Sequence, residues 1–233
     1  MASRLGNGSW KNTALLSARL FQELPERTTT SLLAQAHRTE VPANVRLCSE
    51  GEAAGHLFLI NRGQISYDHL THDGKQSILF WLQPGDSFGL GALLANPHPY
   101  VGSATSVSQC QVYSWNHVSI CRLALAYPQL TCNALAVVLH YFSLLAERHS
   151  GILGSTARGR VAKALLELGK RAGAAKTTGI DIRITNDQLA SMADVSPFTV
   201  SRLLSGWSRK GTVQKSRKNL QIIAPEELLP YAR

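Results

Sequence analysis

The side chains best suited to chemistry lie close together between positions 184 and 223. The run Ser196-Pro197-Phe198-Thr199-Val200-Ser201-Arg202-Leu203-Leu204-Ser205-Gly206-Trp207 reads as a capped helix. Ser196 is a favoured N-cap and Pro197 is pre-set for the first helical position. On such a helix Val200, Leu203, Leu204 and Trp207 share one face, and Phe198, Ser201, Arg202 and Ser205 share the opposite one at i, i+3, i+4 and i+7. An aromatic, two small hydroxyls and a guanidinium near a helix start suit entry into a DNA major groove. Arg202 can bond guanine O6 and N7 with both prongs. Ser196 and Thr199 can reach phosphates beside the free N–H groups of the first turn.

That helix needs a support, and the preceding residues supply one. Thr185 with Gln188 three positions later is a capping box, opening a helix of about two turns. Leu189 and Met192 are its inward residues, and Asp194 falls in the turn. Thr185 is also counted among the DNA contacts. Downstream, Thr212–Gln214 and Leu220–Ile223 are strand-like and flank Lys215-Ser216-Arg217-Lys218-Asn219. The cations Lys215, Arg217 and Lys218 on such a turn would meet phosphates or the minor groove, with a steep salt dependence. The whole is a winged helix-turn-helix.

Charge follows the same division. The chain of 233 residues carries 24 Lys and Arg against 15 Asp and Glu, a net of +9. Residues 154–233 hold 14 of those cations and 6 of those anions, +8, which leaves +1 for residues 1–153. A basic module joined to a near-neutral one fits a polyanion binder with a separate sensor.

Upstream the texture is that of short strands. Asn44–Cys48, His56–Ile60, Gln64–Leu70, Gln76–Leu82, Gly102–Val107 and Gln111–Trp115 are separated by turn formers, Asp73-Gly74 being a hairpin signal. Close, regular spacing of this kind predicts an antiparallel barrel or jelly roll. Residues 15–37 give two short helices broken at Pro25. After His117 the period becomes 3.6, with a short helix ending near Pro128 and a long one from about 129. There Leu130, Ala134, Val137, Tyr141, Leu144 and Arg148 alternate spacings of four and three, which predicts a two-helix dimer seam. Gly151–Ser155 reads as a hinge, Thr156–Arg171 as a helix and Ala172–Gly179 as a loop. The expected division is 1–128 sensor, 129–153 dimerisation helix and 154–233 DNA-binding domain, an α+β chain.

Other chemistry finds little footing. Cys48, Cys110, Cys121 and Cys132 are scattered, against a disulfide framework or a compact zinc or iron–sulfur motif. His56 with Asp86, or His69 with His72, lack a third partner for catalysis or a metal; His69 and His72 read as turn residues. His56, His98, His117, His140 and Met192 are available as haem ligands, without a pair being singled out. The N-terminus lacks the apolar core of a signal peptide and the apolar runs are short for a bilayer, so the expectation is a cytoplasmic protein off the membrane.

Gly51-Glu52, Asn61-Arg62-Gly63-Gln64, Gly85-Asp86-Ser87-Phe88-Gly89 and above all Thr199-Val200-Ser201-Arg202-Leu203-Leu204 resemble the CRP/FNR family of bacterial transcription regulators, over roughly residues 20–225. The resemblance implies a cyclic-nucleotide-binding-like jelly roll, a homodimer through the long helix and a near-palindromic operator on double-stranded DNA. RNA polymerase is a candidate partner. It also places candidate effector-pocket residues at Phe88, Gly89, Leu90, Gly102 and Ser103, with Tyr141 from the long helix.

The sequence departs from the family at three points. Leu90 stands where cyclic-AMP-binding members carry a glutamate, and Gly102-Ser103 replaces their Arg-Ser pair, so cyclic AMP is not expected as effector. The N-terminal cysteine cluster of iron–sulfur members is missing. In the recognition helix Phe198 takes the place of the glutamate of FNR-like members. A haem or other gas- or redox-sensing regulator of the same fold, an effector-independent regulator, and one with another small organic ligand are the alternatives.

Overall fold

Strands dominate from position 37 to 116, where β-branched and aromatic residues alternate with turn formers. The computed structural model describes residues 15, 17–71, 76–171, 175–176, 179–216 and 219–232. Eight strands fall in the first part: β1 (His37–Val41), β2 (Arg46–Cys48), β3 (His56–Arg62), β4 (Ile65–Leu70), β5 (Gln76–Leu82), β6 (Ser87–Phe88), β7 (Ser103–Ser106) and β8 (Cys110–Asn116). They form two four-stranded sheets in the orders β1-β8-β3-β6 and β2-β7-β4-β5. β3 pairs antiparallel with β8, Leu57 opposite Trp115, and β1 covers the other edge of β8 with Thr39 opposite Val112. This is the jelly-roll pattern expected from the strand spacing.

Two glycines earn their places by close approach. Gly63 has φ +88°, and a Cβ there would lie 2.5 Å from the Gln109 carbonyl oxygen and 2.6 Å from Cys110 Sγ. Gly89 has φ +76°, and its Cβ would meet the His56 carbonyl oxygen at 2.4 Å. Only glycine tolerates both the left-handed backbone and the contact.

The core of this part is built on Leu57, Leu59, Ile60, Ile65 and Trp115, all buried. Helix α1 (Glu26–Ala34) is tied to it by Trp115 Nε1, which donates to the Leu32 carbonyl at 2.9 Å. Helix α2 (His117–Ala126) begins on the Asn116 side chain, which accepts from Ser119 N–H. The long helix α3 spans Pro128–Gly154 and α4 spans Ala157–Arg171. The glycines of the expected hinge do not end α3: Gly151 and Gly154 lie inside it, and the break falls at Ser155–Thr156. A helical glycine costs only about 1 kcal/mol relative to alanine, too little to stop a long helix.

The second part continues with β9 (Ala175–Lys176), β10 (Gly179–Ile182), α5 (Asn186–Ala193), α6 (Pro197–Arg209), β11 (Val213–Ser216) and β12 (Asn219–Ile222). A sheet in the order β11-β12-β10-β9 underlies the helices. The stretch 172–179, read as loop, therefore contributes a short strand. His69, read as a turn residue, sits in β4 instead, because the strand runs on past the last apolar alternation. His72 and the Asp73-Gly74 turn lie outside the described residues.

Grouping in space does not follow chain order. One unit comprises Met1–Ile65 and Leu82–Leu139, and the other comprises Ser66–Trp81 and His140–Arg233.

Candidate nucleic-acid interface

Helices α5 and α6 are set by their caps. Thr185 Oγ1 accepts from Gln188 N–H at 3.2 Å, and Gln188 Oε1 accepts from Thr185 N–H at 2.8 Å, completing the capping box. Asp194 closes α5 in the left-handed region at φ 49°. Ser196 Oγ then accepts from Thr199 N–H at 3.1 Å and shares a hydrogen bond of 2.9 Å with Thr199 Oγ1. Pro197 takes the first position of α6, where its missing N–H costs nothing.

Packing sorts the side chains of α6 by face. Val200, Leu204 and Trp207 are buried, whereas Leu203, expected with them, is half-buried. Phe198 is 76% exposed, Arg202 and Ser205 are exposed, and Ser201 is half-exposed. A large aromatic left in water at the first turn is poor use of apolar surface unless something covers it. Arg209, seven residues beyond Arg202 and exposed, continues the same face. The i+7 repeat that groups Phe198 with Ser205 reaches it, but the sequence reading stopped one turn short.

Around this face Thr185 and Ser196 are exposed and Thr199 half-exposed. The Thr185 hydroxyl accepts in the capping box and keeps its own hydrogen for another acceptor. Lys215 is exposed on β11, which pairs with β12 as Lys215 opposite Leu220. Arg217 and Lys218 lie outside the described residues.

The residues singled out for an effector are placed as follows. Phe88 is buried against Phe58, ring centroids 4.7 Å apart. Leu90 opens a short turn of helix after Gly89. Gly102 and Ser103 are buried, and Ser103 Oγ accepts from Glu50 N–H at 3.1 Å. The Tyr100 hydroxyl accepts from His56 N–H at 3.0 Å and lies 3.1 Å from the His56 carbonyl oxygen. Burial pushes the Tyr100 pKa up. Tyr141 belongs to the other unit, its ring 4.6 Å from that of Phe80.

Packing divides the six residues of the expected seam on α3. Leu130, Ala134 and Val137 are buried within the single chain, beside Asn133, whose Nδ2 donates to the Leu20 and Gln22 carbonyls. Tyr141 is engaged by Phe80, Leu144 lines a cleft with Phe80 and Trp81, and Arg148 bonds main-chain carbonyls. Leu130, Ala134 and Val137 are closed off by this burial, while Tyr141, Leu144 and Arg148 stay half-buried. One residue further on, about 100° round the helix, Leu135, Val138, Phe142 and Leu145 repeat the same spacing and are exposed, Leu139 with them. Contrary to the short apolar runs expected, Pro128–Ser150 is by length and composition apolar enough to cross a membrane, with mean hydropathy 1.4 and only 22% of the apolar window buried. That surplus of exposed apolar surface calls for a partner.

Among the described residues no three His, Cys, Asp or Glu side chains gather to hold a metal. His98 Nδ1 lies 2.8 Å from the Pro99 carbonyl, His117 Nδ1 2.8 Å from that of Ala92, and Cys121 Sγ 3.5 Å from His117. Cys48 and Cys110 are buried, and burial raises the Cys110 thiol pKa.

Comparison with known proteins follows the same partition. Residues 38–127 match the family model of the cyclic nucleotide-binding domain, and residues 159–231 that of the Crp-like helix-turn-helix domain. The chain is 25% identical over 223 residues, 94% of its length and 98% of the relative's, to the CRP-like cAMP-activated global transcriptional regulator of Mycobacterium tuberculosis. Its fold is shared with the c-di-GMP responsive global regulator CLP of Xanthomonas campestris, at TM-score 0.73 and 18% identity over 85% of this chain and 99% of that one. It is shared equally with FixK2 of Bradyrhizobium japonicum, at TM-score 0.72 and 22% identity over 85% and 98%.

Proposed function

We propose, on the premise that the chain belongs to the CRP/FNR family of transcription regulators, that it works as a homodimer on a near-palindromic operator without cyclic AMP. The chain is a DNA-binding regulator and not an enzyme, as its relatives are. The observation that carries the finer reading is the exposed Phe198–Ser201–Arg202 face on an N-capped helix inside the matched helix-turn-helix domain.

In this reading α6 enters the major groove. Arg202 reads a guanine, Phe198 contacts a thymine methyl, and Ser201 sits at the base edges between them. Thr185, Ser196 and Thr199 hold phosphates beside the free N–H groups of the helix starts. Lys215 and the neighbouring wing cations Arg217 and Lys218 add sequence-independent attraction. The dimer forms through Leu135, Val138, Phe142 and Leu145 of α3, in place of the stripe first expected. Selection from random duplexes is expected to return two inverted half-sites about 34 Å apart between centres. A single half-site, or no enriched sequence, would overturn the reading.

The sensor reading rests on chemistry at the nucleotide position. Leu90 cannot accept from a ribose hydroxyl, Gly102 carries no cation for a cyclic phosphate, and Ser103 already serves Glu50 N–H. An anion buried there without a cation would be poorly compensated. Calorimetric titration with cyclic AMP is expected to give no heat of binding at micromolar concentrations of the protein. Micromolar affinity would restore the nucleotide as effector. Action is placed in the cytoplasm, where the operator is, with RNA polymerase as the partner for regulation.

A further inference from the structure

We infer that Arg148 and Ser191 are positioning residues for operator binding: they fasten the first helix of the helix-turn-helix to strand β5, and so fix the recognition helix relative to the dimerisation helix. This rests on the reading of the chain as a dimer on a two-half-site operator.

β5 is the last strand of its sheet, so alternate residues present unpaired main-chain groups at an open edge. At Ile78 both groups are taken up by side chains. Its N–H donates to Ser191 Oγ at 2.8 Å, and its carbonyl accepts from Arg148 Nη1 at 2.5 Å. Arg148 Nη2 closes the loop by donating to the Ser191 carbonyl. One guanidinium thus joins β5 and α5 from its seat on α3. Burial lowers the Arg148 pKa, so the charge is held out of water where carbonyl partners count most.

The end of α5 is gripped a second time. Arg160 on α4 donates from Nε to the Ala193 carbonyl at 2.9 Å and from Nη2 to that of Asp194 at 3.1 Å. Its Nη1 donates to the Ser155 carbonyl at 2.9 Å, the residue at the break after α3. These are the carbonyls a helix leaves without partners at its C-terminus, and cations there also suit its dipole. Arg160 is therefore accounted for by capping. Arg148 and Ser191 are different, because their bonds reach outside the helix-turn-helix to a strand that capping does not need.

The mechanical consequence follows from chain length. Only Asp194, Val195 and Ser196 separate α5 from α6. Whatever fixes the end of α5 fixes the start of α6, where Phe198 and Arg202 stand. Since α3 also carries the exposed apolar stripe, the Ile78–Arg148–Ser191 loop ties each recognition helix to the two-fold axis. A rigid tie keeps the second half-site within reach once the first is bound, raising its effective concentration. With the loop open, each helix-turn-helix keeps its own fold and its own half-site affinity.

The test uses the full-length protein with Arg148→Met, which keeps the apolar stem without donors, and Ser191→Ala, which removes the acceptor and favours the helix. Three quantities are read: oligomeric state by sedimentation, affinity for a duplex with one half-site, and affinity for the full operator. Both variants are expected to stay dimeric, to keep half-site affinity within about twofold, and to lose about tenfold or more on the full operator. The Ile78 amide should exchange faster with solvent in Ser191→Ala, which removes its acceptor. Full-operator affinity unchanged or raised in both variants would overturn the proposal, a rise meaning that the bonds hold a non-binding arrangement. Equal losses on half-site and full operator would also overturn it, since that pattern marks damage to the domain itself. A wild-type protein that is monomeric, or binds both duplexes alike, overturns the dimer reading on which the inference stands.

Discussion

A Phe142→Glu protein is expected to sediment as a monomer, to unfold at nearly the wild-type temperature and to lose about a hundredfold or more in operator affinity. Phe142 is 67% exposed in the single chain, so replacing it removes little packing within the protomer. Surface changes of this kind usually move stability by no more than about 0.5 kcal/mol. In a parallel pair of α3 helices, Leu135, Val138, Phe142 and Leu145 fall at the alternating four-three spacing of a coiled-coil seam. A glutamate at Phe142 would face its symmetry mate across the axis, two carboxylates leaving water with no cation to meet. Association then fails. Each protomer is left with one recognition helix, and the gain from engaging two half-sites together is lost. A Phe142→Glu protein that remained a dimer would place the seam on another surface.

The contrast with Leu130 shows why period alone does not choose between two stripes. Leu130, Ala134, Val137, Tyr141, Leu144 and Arg148 have the period of a seam, and so do the residues one position later. Periodicity reports which positions on a helix are apolar, not what they touch. The first half of that stripe, Leu130, Ala134 and Val137, is buried within the chain, Leu130 fully. The distinguishing signal was present in another form: a helix apolar on two adjacent faces needs two partners, one within the chain and one outside it.

Elsewhere legibility tracked the strength of local chemistry. The capping box at Thr185 and Gln188 and the cap at Ser196 with Pro197 fix helix starts through side-chain hydrogen bonds that neighbours in sequence make for themselves. Such elements are readable from a dozen residues. Strand β1 was not, because among His37–Val41 only Val41 is buried and the strand exists by pairing with β8, 69 to 77 residues away. Strand β6 is two residues long and held by Phe58 and Leu59 opposite. Ile78, Arg148 and Ser191 were beyond reach for the same reason, since their bonds join positions 43 to 113 residues apart.

The recognition helix supplies the remaining large effect, on specificity as well as affinity. Arg202→Ala is expected to weaken binding to the selected operator by about 1–3 kcal/mol per half-site, roughly 5- to 150-fold, and to relax preference at one base pair. Phe198→Glu should act differently. The side chain is 76% exposed and packs in no core, so the variant keeps its fold and its dimer. What changes is the group offered to the base edge: an apolar ring suits a thymine methyl, while a carboxylate accepts from cytosine N4 and repels the acceptor edge of thymine. Repeating the selection with Phe198→Glu is expected to exchange thymine for cytosine at the contacted position in both half-sites, while the guanine read by Arg202 stays. An unchanged half-site would mean that Phe198 touches no base, and its exposure would then need a protein partner rather than DNA. The double variant separates the two roles: if Arg202 and Phe198 read different base pairs, their effects on the wild-type operator should add within about 0.5 kcal/mol, and a larger coupling would place both on one base step.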